Sequence, residues 1–240
     1  MKLISYTHNN KASFGHQATS DKIIDIASRF NYVDVLDFIT KGGHNNQDII
    51  TYIKSNDALV LDMADLKIAS PIKPRSLRDA YAFRQHVETS RRNRGLEMIK
   101  EFDNFPVYYY SNAEATVGPG ELHIDDVFMN KLDFELEVAI VISKEGININ
   151  ASQADNYIAG LTIMNDFSAR DLQMQEMKLN LGPAKGKDFA TSLGPILVTL
   201  DELRDNTTKT DKGNHYSLNM QCIINNQKIS EDNLGNISWT

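Results

Sequence analysis

The sequence predicts a β-rich α+β fold on three observations. Short apolar or alternating runs bounded by turn residues recur along the chain, helical periodicity is confined to a few short stretches, and no internal repeat or low-complexity segment interrupts the pattern. Residues 2–7 and 22–26 read as strands with polar turn residues between them. Residues 31–39 and 48–53 carry apolar side chains at helical spacing: Val33, Val35, Leu36 and Ile39, then Ile49, Ile50 and Ile53. Gly42-Gly43 stops the first helix and Asn46 is placed to cap the second. Residues 1–70 thus form a small N-terminal α+β domain. Pro71-Ile72-Lys73-Pro74 marks its end, because two prolines disfavour helix on either side.

The second domain, residues 71–240, opens with a polar, helix-compatible stretch at 76–95. On a continuous helix Asp79 and His86, seven residues apart, lie on the same side. Residues 105–110 read as a strand whose tyrosines alternate between faces. Val117-Gly118-Pro119-Gly120 is a turn, since it lacks the strand–loop–helix context and lysine of a phosphate-binding loop. Residues 133–142 form a strand in which Glu135 and Glu137 share one face and Phe134, Leu136 and Val138 the other. Two acids entering an apolar run either hold a cation or face water, and the pair alone leaves both readings open.

Residues 157–164 read as a buried strand from which Asp166 emerges into a loop. Residues 168–175 lack Gly and Pro, and Arg170 and Gln173, three apart, share a face if the segment is helical. A Gly182-Pro183 loop then delivers Lys187. Farther on, residues 196–198 read as a strand, 207–214 as a polar loop, and 218–224 with 227–229 as a hairpin whose Asn225-Asn226 pair suits positive φ.

Composition narrows the functional classes. A formal net charge of -7 over 240 residues argues against a nucleic-acid partner. Arg91-Arg92-x-Arg94 is short: a solvated helix face, or a means of capturing a substrate carboxylate. The single cysteine, Cys222, excludes an intrachain disulfide and a cysteine-based metal cluster, which makes cytoplasmic residence the default expectation. No window approaches the ~18 apolar residues of a membrane span, and the first ten residues lack a signal-peptide core, so no membrane association is expected. A Gly-x-Ser-x-Gly elbow is also missing, which weighs against a serine hydrolase.

The run Asn165-Asp166-Phe167-Ser168-Ala169-Arg170-Asp171-x-Gln173, followed by Gly182-Pro183-x-x-Gly186-Lys187-x-Phe189, closely resembles the fumarylacetoacetate hydrolase superfamily. Asp79, Tyr81 and Arg84-Gln85-His86 resemble its fumarylacetoacetase branch, in which a metal-binding Asp precedes the catalytic His by this spacing. The resemblance implies a barrel-like, mixed β-sheet-roll catalytic domain and a homodimer. It implies that Asp79, Glu135, Glu137 and Asp166 hold a metal, that His86, Lys187, Arg170 and Gln173 are catalytic, and that Tyr81 and Tyr109 contact substrate. Because that ligand set offers only hard oxygens, Mg²⁺ is the expected ion, with Ca²⁺ or Mn²⁺ as alternatives.

The implied activity is hydrolysis of a carbon–carbon bond in a 2,4-dioxo acid, such as fumarylacetoacetate or an acylpyruvate, through a metal-bound enolate. The metal polarises the carbonyl, Lys187, Arg170 and Gln173 stabilise the developing charge, and His86 deprotonates the attacking water. Hydration of a 2-oxo-alkenoate, decarboxylation or isomerisation of a β-keto acid, and non-catalytic ion binding are the competing readings. Superfamily members continue past the position of Thr240 to a Pro-Gly-Asp-x-Ile-x-x-Gly-Thr segment, and in the fumarylacetoacetase branch the glutamate that orients the catalytic His also lies beyond it. The chain ends beside Trp239, in what reads as the start of a helix, so a version truncated at its C-terminal end is expected. Glu88, two residues from His86, would face elsewhere on a helix.

Overall fold

The computed structural model describes residues 1–180 and 183–239. β1 (Lys2–His8), β2 (Lys11–Gln17) and β3 (Lys22–Asp25) open the chain, followed by α1 (Val35–Thr40), α2 (Gln47–Ile53), β4 (Val60–Asp62) and β5 (Lys67–Ile68). Then come β6 (Leu77–Ala80), α3 (Arg84–Asn93), β7 (Tyr108–Ser111), β8 (Thr116–Val117), α4 (Asp126–Met129), β9 (Leu132–Ile142), β10 (Ile158–Ala169) and α5 (Arg170–Met177). β11 (Thr191–Leu193), β12 (Ile196–Thr199), β13 (Thr207–Thr210), β14 (Gly213–Tyr216), β15 (Asn219–Ile224) and β16 (Gln227–Asn233) follow. Gly182 of the expected Gly-Pro loop, and Thr240, lie outside the described residues.

Ten strands form one mixed sheet in the order β4-β3-β2-β1-β12-β10-β11-β8, with β5 added to β1 and β9 to β10. β1 pairs antiparallel with β12, so residues 1–70 share this sheet with the segment that follows them. The mixed, β-rich α+β expectation holds, but no closed barrel is found among the described residues. The sheet ends at β4 and β8, and the remaining strands pair among themselves as the ribbons β6-β7, β13-β14 and β15-β16 instead of closing it.

The helical stripes of the first third pack into the core except at Val33, which lies ahead of α1 and is 85% exposed. Val35, Phe38, Ile39 and Ile49 are buried with Leu3, Phe14, Ile26 and Leu197 in one core cluster. α1 starts at Val35 rather than at residue 31 because Asp34 is extended (φ -157) and its carboxylate accepts from the Asp37 amide. Asn46 caps α2 as predicted, accepting from the Asp48 amide. Asn225 (φ 49) and Asn226 (φ 63) make the predicted hairpin turn between β15 and β16.

Four local expectations are corrected. The presumed turn after residue 8 contains β2, whose polar residues conceal an edge-to-edge pairing with both β1 and β3. The presumed loop at 207–214 contains most of the Thr-rich ribbon β13-β14. Residues 76–95 are not one helix: Leu77–Ala80 is a strand paired with Tyr108–Ser111, and the helix begins at Arg84. Trp239 starts no helix; it follows a 3-10 turn at Leu234–Asn236 and packs against Phe102, with ring centroids 6.3 Å apart.

β9 and β10 pair along their whole length, from Ile158↔Ile142 to Ala169↔Leu132, with a register irregularity beside Gly160. Gly160 sits against β12 so closely that a Cβ there would meet the Val198 carbonyl oxygen at 2.2 Å. Gly160→Ala is therefore expected to cost about 1–3 kcal/mol by overpacking, read as a lower urea midpoint with an unchanged slope.

Candidate active site

The site is built on the β9–β10 ladder. Residues facing each other across an antiparallel pair share a sheet face, and the register sets Glu135 opposite Asp166 and Glu137 opposite Met164. Strand alternation thus collects Glu135, Glu137 and Asp166 on one face, as the sequence predicts for the two glutamates. Asp166, expected at a strand end, lies inside β10, because pairing with β9 carries that strand on to Ala169. Like charges placed opposite one another repel, so the ladder is sustainable only with cations at hand.

Two cations are supplied from the following residues. Lys187, only 2% exposed, reaches Glu135 Oε2 at 2.9 Å and is also ion-paired with Asp166 Oδ2. Arg170, the first residue of α5, donates from Nη1 to Glu135 Oε1 at 2.7 Å and to Gln173 Oε1 at 3.0 Å, and from Nε to Asp133 Oδ2 at 2.7 Å. Asp133 was not among the expected site residues; its signal is its place two and four residues before Glu135 and Glu137 on the same strand face.

Asp79 arrives from β6, where alternation turns it inward to 6% exposure. It does not share a helix face with His86, because the pairing of Leu77–Ala80 with β7 breaks the segment into strand and helix. The same pairing sets Tyr109 opposite Asp79, and the Tyr109 hydroxyl donates to Asp79 Oδ2 at 2.9 Å and to Asp166 Oδ2 at 3.2 Å. This tyrosine, expected at the substrate, donates to the acids and also lines, with Asp79, the cavity of the site. Asp79, Glu137 and Asp166 each offer an oxygen within 4.8 Å of the others. Glu135 stands beside this group with its two oxygens held by Arg170 and Lys187.

With Asp133 counted, five acids face two cations, and a divalent ion would offset part of the excess negative charge. The donor set, all carboxylate oxygen, is the type hard divalent ions take. Proton affinities report the same crowding. Burial, then the Asp166 charge, pushes Asp79 up to about 7. Burial, then Asp79 and Asp166, raises Glu137 well above the usual range. Burial also raises Asp166, against the pull of Lys187. For Glu135 burial acts in the same direction but Lys187 and then Arg170 outweigh it, leaving its carboxyl below the usual value.

Asp79, Glu135 and Glu137 line a cavity of about 880 Å³ together with Lys187, Arg170, Gln173, Tyr81 and His86, and Asp166 lies buried behind them. His86 is exposed on α3, with its ring centroid 6.5 Å from that of Tyr81. Glu88 pairs with Arg84 at 3.3 Å. The start of α3 is held by the chain's last described residues: the Ser238 amide donates to the Ala82 carbonyl at 2.7 Å, and its hydroxyl accepts from the Arg84 amide at 3.3 Å.

A mixed-sheet α+β domain with a buried oxygen-only cluster suited to a divalent cation, opening on a cavity, defines the class. The family model described as fumarylacetoacetate (FAA) hydrolase C-terminal matches residues 75–240, and the chain belongs to the fumarylacetoacetate hydrolase family. The chain is 27% identical to the fumarylacetoacetate hydrolase domain-containing protein 2 homolog of Dictyostelium discoideum, over 95% of this chain and 74% of that protein. It is 34% identical to the mitochondrial oxaloacetate tautomerase Fahd2a of Rattus norvegicus over 53% of this chain, a match spanning only 38% of that protein. The fold is shared with maleylpyruvate hydrolase from Sphingobium sp. SYK-6 in complex with manganese(II) ion and pyruvate, with a TM-score of 0.72 at 15% identity, covering 99% of this chain and 78% of that one. No helix among the described residues is long and apolar enough to cross a membrane.

The raised acids give a pH prediction. A carboxyl whose folded value is raised to about 7 contributes stability that is fully present below its ordinary value of 3.8 and lost as pH rises through about 7. A divalent ion competes with those protons, so the thermal midpoint is expected to rise more on adding Mg²⁺ or Mn²⁺ at about pH 8 than at about pH 5.5. Scanning calorimetry at both values checks this; an equal gain at both contradicts the cluster's role.

Proposed function

We propose that this chain is a divalent-cation-dependent hydrolase that cleaves a carbon–carbon bond in a 2,4-dioxo acid. The observation that carries the reading is the buried Lys187, ion-paired with Asp166 and Glu135, on a cavity wall that also carries Asp79 and Glu137 of the Asp79–Glu137–Asp166 group. Bound by Asp79, Glu137 and Asp166, with Glu135 adjacent, a cation such as Mg²⁺ supplies Lewis-acid polarisation of a carbonyl. Scission between two carbonyls leaves a carbanion that survives only as its enolate. A fixed buried ammonium suits that growing negative charge, with Arg170 and Gln173 as further donors. His86 takes the proton of the attacking water. Tyr81, across the ring contact with His86, faces the substrate.

In this reading residues 71–240 carry the chemistry and residues 1–70 are a supporting N-terminal unit on the same sheet, as every acid and cation named follows residue 75. A homodimer and cytoplasmic residence belong to the same proposal. A second reading, keto–enol tautomerisation, is favoured by the relative named oxaloacetate tautomerase. It needs proton transfer but no attacking water.

Incubation with a panel of 2,4-dioxo acids, 2-oxo-alkenoates and oxaloacetate, with Mg²⁺ or Mn²⁺, separates the readings through enol absorbance and product analysis. Cleavage products from a dioxo acid are expected; enol–keto exchange without cleavage overturns the hydrolase. Lys187→Met is expected to lower kcat on the order of 10²–10³-fold with little change in KM, since its charge is matched to the transition state. A rise in KM alone reduces Lys187 to a substrate anchor. His86→Ala is expected to abolish hydrolysis and leave Mn²⁺ binding, followed by calorimetry, intact.

A further inference from the structure

We propose that Glu176 is a positioning residue for Lys187, holding the turn that delivers the ammonium to the acids. Its carboxylate accepts from three consecutive backbone amides: Ala184 at 3.1 Å and Gly186 at 3.2 Å on Oε2, and Lys185 at 2.7 Å on Oε1. These amides begin a helical turn closed by the Lys187 and Asp188 amides, which both donate to the Ala184 carbonyl at 2.9 Å. The opening N–H groups of such a turn have no acceptor within it, and a carboxylate satisfies them with charge-assisted bonds.

The turn is gripped from its other side as well. The Ala169 amide donates to the Gly186 carbonyl at 2.8 Å. A Cβ on Gly186 would meet the Gln173 amide nitrogen at 2.7 Å, so the loop backbone lies directly on α5. Arg170, Gln173 and Glu176 recur every three residues on that helix and so follow one face. That face holds the Arg170–Gln173 pair and, through Glu176, fixes Lys187. Glu176 is not part of the cavity wall, so it acts through Lys187 and not on substrate.

The kinetic arm of the test rests on the proposed activity; the labelling arm does not. Glu176→Gln keeps the shape but replaces one accepting oxygen with a donor that repels the amides. Lys187, 2% exposed, is expected to react on the order of 10-fold faster with an amine acylating reagent in this variant, as the turn opens locally. Peptide mass mapping reads the rate, with Lys2 and Lys41 unchanged as internal controls of the fold. Unchanged labelling of Lys187 overturns the proposal. In turnover of a dioxo acid, Glu176→Gln is expected to lower kcat on the order of 10²-fold with KM nearly constant. Added to Lys187→Met, it is expected to cost nothing more. Independent, multiplying losses overturn the proposal. Gly186→Ala displaces the same turn from the Gln173 side and, as the second variant, gives the same faster labelling. If no acid is turned over by the unmodified chain, the functional reading fails and labelling still decides the role of Glu176.

Discussion

Crowding of carboxylates on one face of the β9–β10 ladder is the constraint from which the rest of the structure follows. Removing an ion from water costs several kcal/mol even after relaxation, and Asp166 at 1% exposure and Asp79 at 6% are removed almost completely. Such a group persists only where countercharge is held in place, and Lys187 and Arg170 are held there by the residues that follow β10. The remaining deficit makes the cluster a receptor for protons or for a divalent ion, which explains why three of its acids bind protons more tightly than usual while the doubly paired Glu135 does not.

Rigidity around the cluster comes from pairing on several sides. β10 is joined to β9, β11 and β12, and β12 to β1. The core of the N-terminal segment thereby braces the strand that carries Asp166. The β6-β7 ribbon lies outside this sheet; Leu77 packs it against the main core cluster, and the Tyr109 hydroxyl bridges Asp79 and Asp166. Lys187 and Arg170 thus act on acids carried by the braced strands β9 and β10. His86 is carried differently, on a helix in which Val87 is the buried residue and whose first turn is held by Ser238. An element with so few buried contacts belongs to the low-stability end of a fold, where groups that meet substrate are commonly found.

Much of this was legible in the sequence because it is local. Period-2 alternation put Glu135 and Glu137 on one face, helical spacing joined Arg170 to Gln173, the Asn46 cap and the Asn225-Asn226 turn followed from side-chain chemistry, and the Asn165–Gln173 and Gly186-Lys187 motifs identified the family. These features depend on neighbours within a few residues, where backbone geometry dictates which side chains can meet. What only the tertiary structure decided is long-range. That Asp79 belongs to a strand follows from its pairing with Tyr109, thirty residues on. That β10 continues through Asp166 follows from β9, and that β2 is a strand at all follows from its position between β1 and β3. Which acids converge, and which are claimed by Arg170 and Lys187, is set by strand register and by a turn lying against α5. Pairing partners and register arise from the free energy of the whole core, so a window of sequence that lacks the partner cannot contain them.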